Sequence, residues 1–323
     1  MKRLTLLALF LSAALGAATG CASSNETTGT TEAAADGRFS TRTYPLADFT
    51  NIDVSNVVKV VYTQGDTYRV QLTGRTDWLD LMDVTAKGGT LKVKAKNSKK
   101  FNNVKKKDQP DGQHNFILHL TAPCLQNILL GGVSTFEAGR LTPDGLYLRL
   151  EGVSKLKVEA IECASLKMNL NGVSKVDVGS IACPKLEADV NGSSKADIQH
   201  LAVKDLRFSV SGASKVNLPD CTRGEKATFN VSGASKLILS AEASEQMQVG
   251  LSGASKGELT YKGGSLRTWC TGASKLNAQV SCTAINANCD GASKTIFSGT
   301  ADKVEIDRGG VAVNIDTSRL NQF

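Results

Sequence analysis

The chain has 323 residues, a formal charge of +7, 5% aromatic residues and only three histidines. His114, His119 and His200 form no cluster, and no phosphate-binding glycine loop, zinc motif or nucleic-acid module occurs, so no nucleic-acid partner, metal or organic cofactor is expected. After the first apolar run no second one is long enough for a bilayer, so no transmembrane helix is expected.

Lys2 and Arg3 precede an apolar run, Leu4 to Leu15, that is too short to span a membrane. Ala18-Thr19-Gly20 then lead to Cys21, a pattern that resembles a bacterial lipoprotein signal. It predicts residues 1–20 as a signal peptide and Cys21 as the lipidated residue that anchors the protein in a membrane, taken as the outer membrane of the cell envelope. Which face of that membrane the protein occupies is left open. Residues 21–37 are small and polar and read as a flexible tether. About 285 residues remain, enough for a sizeable core in one elongated domain. Lys99, Lys100, Lys105, Lys106 and Lys107 form a basic stretch between two strand-like segments, either a solvated loop or an anion-facing one.

Residues 38–131 alternate weakly. Phe49 to Val54, Asn56 to Val60, Tyr68 to Leu72, Leu91 to Ala95 and Phe116 to Leu120 read as strands, and Asn56-Val57-Val58-Lys59 echoes a motif that dominates the chain from residue 132 onward. They are taken as the first coils and the cap.

From residue 132 a tetrapeptide recurs every 19 to 21 residues. It begins as Gly132-Val133-Ser134-Thr135, runs through Gly152-Val153-Ser154-Lys155 and Gly212-Ala213-Ser214-Lys215, and ends as Gly291-Ala292-Ser293-Lys294, with a degenerate copy at Gly310. Apolar residues stand six, four and two before each Gly, and four and six after it, as in Leu166, Met168, Leu170, Val176 and Val178 around Gly172. Alternation of period two means strands, and a fixed period of about 20 means a solenoid. The fold predicted is all-β: a right-handed parallel β-helix with coils of about 20 residues, running regularly over 132–323 to a C-terminal cap. Gly marks the sharpest corner of each coil.

Parity turns Ser inward and Lys outward. Ser134, Ser154, Ser174 and their successors then form an internal hydroxyl ladder that satisfies itself along the axis. Lys155, Lys175, Lys195, Lys215, Lys236, Lys256, Lys275 and Lys294 form an external column, about 4.8 Å per step. Asp177, Asp197, Glu258, Glu151 and Asp290 are placed to compensate part of it. The column is either a solvated stripe or a basic track for a polysaccharide or another anionic surface ligand. Trp269 stands in an outward column otherwise filled by Asn169, Asp189, Ser209 or Asn288, and either covers neighbouring coils or makes a stacking platform beside Lys256 and Lys275.

Seven cysteines come after Cys21, an odd number with no Cys-x-x-Cys unit. Cys270 and Cys289 occupy an apolar column and read as small core residues. Cys163, Cys183 and Cys282 share another column. Neighbours in one column could oxidise after export, although facing residues of parallel strands rarely offer good disulfide geometry.

Phe49-x-x-Ile52-x-Val54, Val60-x-Tyr62-x-x-Gly65-Asp66, Gly89-Thr90-Leu91-Lys92-Val93, Leu120-Thr121-Ala122-Pro123-Cys124-Leu125 and the Gly-Val/Ala-Ser-Lys series together resemble the head GIN domain family of putative auto-transporter adhesins. The resemblance covers nearly the whole mature chain. It implies a right-handed β-helix on a bacterial envelope and supplies no catalytic residues.

Outward polar residues repeat instead of converging on one groove, and adjacent Ser and Lys on a strand point to opposite faces, which argues against a Ser/Lys nucleophile. The expected protein is a lipid-anchored, non-catalytic adhesin-like or ligand-binding β-helix. The alternatives are a structural or stress-related envelope protein without a soluble ligand, and a β-helix enzyme acting on polysaccharide. The sequence does not specify an oligomeric state.

Overall fold

A computed structural model describes residues 30–33, 38–101, 104–222, 224–310 and 314–322. The signal segment 1–20 and the lipidation site Cys21 lie outside the described residues. Among the described residues the only helical pieces are three short 3-10 turns, Leu79–Leu81, Ser98–Phe101 and Lys106–Asp108.

The chain is a parallel β-solenoid of about 10 turns, each about 20 residues long. Strand Lys175–Val190 pairs in parallel with Lys195–Val210, so that Val176 faces Ala196 and Val190 faces Val210. The same register continues through Lys236–Leu251, Lys256–Cys270, Lys275–Cys289 and Lys294–Arg308. The apolar columns fill the interior. Met168, Ala188, Phe208, Phe229 and Val249 lie one above another at 0% exposure, and the Phe208 and Phe229 rings stack at 5.7 Å. Each fully buried Leu, Val or Phe there stabilises the coil by about 1.5–3 kcal/mol relative to exposure.

The corner explains the motif. Gly212 has φ +76°, and a Cβ built on it would lie 2.3 Å from the Gly192 carbonyl oxygen. That carbonyl accepts the Ala213 N–H at 2.7 Å, so the corner stacks rung on rung through a contact that leaves no space for a side chain. Ser turns inward as parity predicts, with Ser134 to Ser293 at 0–2% exposure. The hydroxyls do not bond to one another, which corrects the expected ladder. Ser134, Ser154 and Ser174 donate to the carbonyl three residues back, at 2.6–2.7 Å. Ser194, Ser214 and Ser235 reach the Gly carbonyl of the preceding rung, at 3.2–3.5 Å. The oxygens of Ser194, Ser214 and Ser235 also accept the serine N–H of the preceding rung, at 3.3 Å. The corner backbone offers nearer partners than the next hydroxyl does. Ser274 and Ser293 have none among the described residues.

At the N-terminal end the chain doubles back. Asn51–Val54 and Val58–Gln64 form a coil directly beneath Asn127–Leu130 and Thr135–Leu141. The coil beyond it is made of later residues, Thr90–Ala95 and Phe116–Ala122. Antiparallel strands Met82–Lys87 and Arg69–Arg75 cover its outer edge, and Phe39–Tyr44 pairs outside Arg69–Arg75. An antiparallel layer therefore closes the end that a bare solenoid would leave open to edge pairing. Thr30–Ala33, expected within a flexible tether, pairs antiparallel with Phe39–Tyr44 as the outermost strand.

The echo at Asn56 is a true rung of the corner. Asn56 has φ +80° and its carbonyl accepts the Val133 N–H at 2.8 Å. Asn is tolerated because the chain beneath departs at Ala95 into residues 96–115, and the Asn56 Oδ1 accepts the Ala95 N–H at 2.8 Å. At the other end Asn314–Gln322 pairs with Lys294–Arg308 on one side, with Asn314 in the Lys column.

Candidate binding surface on the lysine column

The eight lysines stand in unbroken register from Lys155 to Lys294. Each column lysine N–H donates to the motif serine carbonyl one rung back, at 2.8–2.9 Å, which fixes the root of every side chain. All eight are exposed or half-buried. Neighbouring ammonium groups about 4.8 Å apart repel by about 1 kcal/mol in bulk water, and by about 3 kcal/mol at an effective dielectric near 20.

Compensation is uneven. Lys175 pairs with Asp177, Lys195 with Asp197 and Lys236 with Glu258, each at 2.6 Å. Burial opposes ionisation of Asp197, but hydrogen bonds from Lys195 and Asn217 and the charges of Lys195 and Lys175 outweigh it, holding the carboxyl below its ordinary value. Two expected partners fail. Glu151 binds Arg149 on its own face, and the Asp290 carboxylate accepts the Gly291 N–H at 2.6 Å. Among the described residues Lys155, Lys215, Lys256, Lys275 and Lys294 make no ion pair, and the last three occupy consecutive rungs.

One outward position beyond that run the surface is concave. A trough of about 540 Å³ is lined by Ile238, Glu258, Thr260, Asn277, Gln279 and Ile296, among others. Its lining residues come from successive rungs, so it crosses from coil to coil.

Trp269 lies away from the column. A Cβ on Gly250, one rung back, would sit 2.1 Å from the indole, so the ring occupies space that only a Gly leaves. The hollow beside it is lined by Ser and Asn residues and by no column lysine. Of the two readings of Trp269, the contact with Gly250 favours the ring that covers the preceding coil.

One feature is not visible in the sequence pattern. Thr135, which stands in place of Lys in the first motif copy, is hydrogen-bonded to His114 Nε2 at 3.0 Å, and Asp111 Oδ2 is hydrogen-bonded to His114 Nδ1 at 2.8 Å. His114 is buried, so this chain of bonds ties Asp111 and His114, both within residues 96–115, to the corner. The basic stretch belongs to the same excursion, and Lys99, Lys100, Lys105, Lys106 and Lys107 are all exposed where the corner column ends. In the cysteine columns Cys270 faces Cys289 on the next rung, the Cys183 thiol donates to the Lys185 carbonyl at 3.3 Å, and Cys163, Cys183, Cys270 and Cys289 are all free thiols. Among the described residues no three His, Cys, Asp or Glu side chains group as metal ligands.

The profile of the family described as "Putative auto-transporter adhesin, head GIN domain" matches residues 48–243. The chain belongs to that family. A structural neighbour described as a putative adhesin from Parabacteroides distasonis is 16% identical, with a TM-score of 0.55 over 87% of this chain and 98% of its own. A putative adhesin from Bacteroides fragilis is 18% identical, with a TM-score of 0.38 over 86% of this chain and 96% of its own. A protein described as a putative lipid binding protein from Parabacteroides distasonis is 14% identical, with a TM-score of 0.46 over 87% and 97%. At these identities the first likeness concerns the fold alone. No curated protein matches the chain. The GIN-domain match stops short of Lys256, Lys275, Lys294 and Trp269, so the run without ion pairs sits on coils beyond the matched segment.

Proposed function

We propose that this GIN-domain protein is a non-catalytic adhesin of the bacterial envelope, anchored by a lipid on Cys21 in the outer membrane, that holds an acidic polysaccharide along the lysine column. The observation that carries the reading is the run Lys256, Lys275 and Lys294, three cations on successive rungs with no ion pair among the described residues. A row of like charges held by a rigid sheet is a standing electrostatic cost, which a polyanion with matching spacing relieves. The adjoining trough gives the polymer a bed. The family description supports a surface-binding role over catalysis. The paired half of the column, Lys175, Lys195 and Lys236, favours a second, structural reading for those rungs, where local ion pairs leave a solvated stripe.

The test is a glycan array probed at two salt concentrations with the purified protein and a Lys256→Gln/Lys275→Gln/Lys294→Gln variant. Salt-sensitive binding to uronic-acid or sulfated glycans, lost in the variant, is the expected result. Binding indifferent to the variant rejects the column as the recognition surface.

A further inference from the structure

The face that carries Trp269 has a chemistry of its own. Its two outward columns, three and one before each motif Gly, are charged at both ends: Arg149, Glu151 and Asp189 on one side, Asp290 and Asp307 on the other. Between them, four successive rungs carry no charge in either column. They read Ser209 and Ser211, Asn230 and Ser232, Gly250 and Ser252, then Trp269 and Thr271. The stretch contains a hollow of about 270 Å³ lined by the indole, by Gly250 beneath it, and by Ser209, Ser211, Asn230, Ser232 and Ser252.

The polar groups around the hollow are open. Ser209, Asn230 and Ser252 have side chains with no protein partner among the described residues, and Trp269 Nε1–H has no protein acceptor there either. Ser211 donates to Asn191 and Ser232 to the Val210 carbonyl, which leaves both oxygens free to accept. An aromatic face with uncharged donors and acceptors around it is complementary to a pyranose ring, which has an apolar C–H face and a rim of hydroxyls. An anion gains nothing here, because no cation lines the hollow. A purely packing role accounts for the Trp269–Gly250 contact but assigns no part to the unpartnered Ser209, Asn230 and Ser252 side chains beside it.

We propose that this hollow binds one residue of a neutral saccharide, stacked on Trp269 and hydrogen-bonded by Asn230 and the surrounding serines. The site is separate from the lysine column in residues and in ligand chemistry, so either can fail without the other.

The chain has two tryptophans, Trp78 and Trp269. A Trp78→Phe background therefore makes intrinsic fluorescence report on Trp269 alone. The probes are neutral gluco-, manno-, galacto- and xylo-oligosaccharides, titrated into the purified protein with calorimetry in parallel. The expected result is a saturable change in Trp269 emission with at least one probe, insensitive to salt and unchanged by Lys256→Gln/Lys275→Gln/Lys294→Gln. Calorimetry on the Trp269→Ala protein should show affinity reduced about tenfold, with partial recovery in Trp269→Phe. Asn230→Leu, which keeps the ring and removes an amide, should weaken binding without changing the fold. The proposal is overturned if no neutral saccharide perturbs Trp269 at millimolar concentration, if only acidic ones do, or if Asn230→Leu and Trp269→Phe bind as the wild type does.

Discussion

Replacing Gly212 by Ala separates the two causes that place Gly at every corner. At φ +76° a β-carbon costs about 1–2 kcal/mol from its own backbone. That carbon would also lie 2.3 Å from the Gly192 carbonyl oxygen, so the rungs must part and the 2.7 Å bond from Ala213 N–H weakens. Losing that bond costs about 1 kcal/mol more, and up to about 3 if the carbonyl stays buried. Reduced freedom of the unfolded chain returns about 0.4–1 kcal/mol. The expected net loss is about 2–3 kcal/mol. Gly88 is the control, because its φ is +58° and nothing lies within 4 Å of a Cβ built there. Gly88→Ala should cost about 1 kcal/mol or less, since only the backbone term applies. Urea unfolding followed by circular dichroism compares the two midpoints, and hydrogen exchange at Ala213 reports local opening of the rung, which a solenoid permits without global unfolding. Equal losses in the two variants would refute the claim that rung-to-rung contact dictates the glycines.

Other parts of the chain give three further expected outcomes. Asn56→Ala should destabilise by about 2 kcal/mol and Asn56→Gly by about 1, because Gly relieves the φ of +80° while both variants strip the Ala95 N–H of its acceptor; urea midpoints in the reverse order would contradict this. Asp197 has a folded-state pKa below the ordinary carboxylate value of 3.8, so its contribution is present at neutral pH and is lost as pH falls through that lower value. Asp197→Asn should therefore lower stability at pH 7, with the difference closing as pH falls below the ordinary carboxylate value, and a difference that stays constant into acid would count against the Lys195 pairing. Cys183, Cys221, Cys270, Cys282 and Cys289 are buried, and burial pushes the Cys221 thiol up to about 12. Among the seven cysteines after Cys21, an aromatic disulfide reagent at pH 8 should label only Cys124 and Cys163 in the native reduced protein, and all seven in urea.

The solenoid is readable in the sequence because its rule is local and repeated. Period-two alternation fixes which way Leu166, Met168 and Leu170 point, and the corner preserves that parity, so Ser174 turns in and Lys175 turns out. What the sequence leaves open depends on distances between rungs. Ser174 chooses the Asn171 carbonyl at 2.7 Å over its neighbouring hydroxyls, a preference no periodicity encodes. Glu151 belongs with the column by repeat position alone, but it lies nearer Arg149 on its own side of the corner. The stacking order of residues 51–122 is hidden for a different reason: alternation marks strands, not which strand lies on which. Trp269 is visible as an exception in its column, but its meaning depends on Gly250, nearly one coil earlier in the chain, being the rung beneath it.

The most direct test of the lysine column is the salt dependence of binding to a polyuronate, measured for three proteins: the wild type, Lys256→Gln/Lys275→Gln/Lys294→Gln, and Lys175→Gln/Lys195→Gln/Lys236→Gln. The two variants lose the same charge, so net charge alone predicts equal weakening. Neutralising the unpaired run should instead lower affinity by about tenfold or more and flatten the salt slope, because those lysines meet the polymer with no carboxylate to leave. The other variant should lose less, since its lysines are already held by Asp177, Asp197 and Glu258. Equal losses, or a flat salt response in the wild type, would contradict the assignment of the unpaired run as the recognition surface.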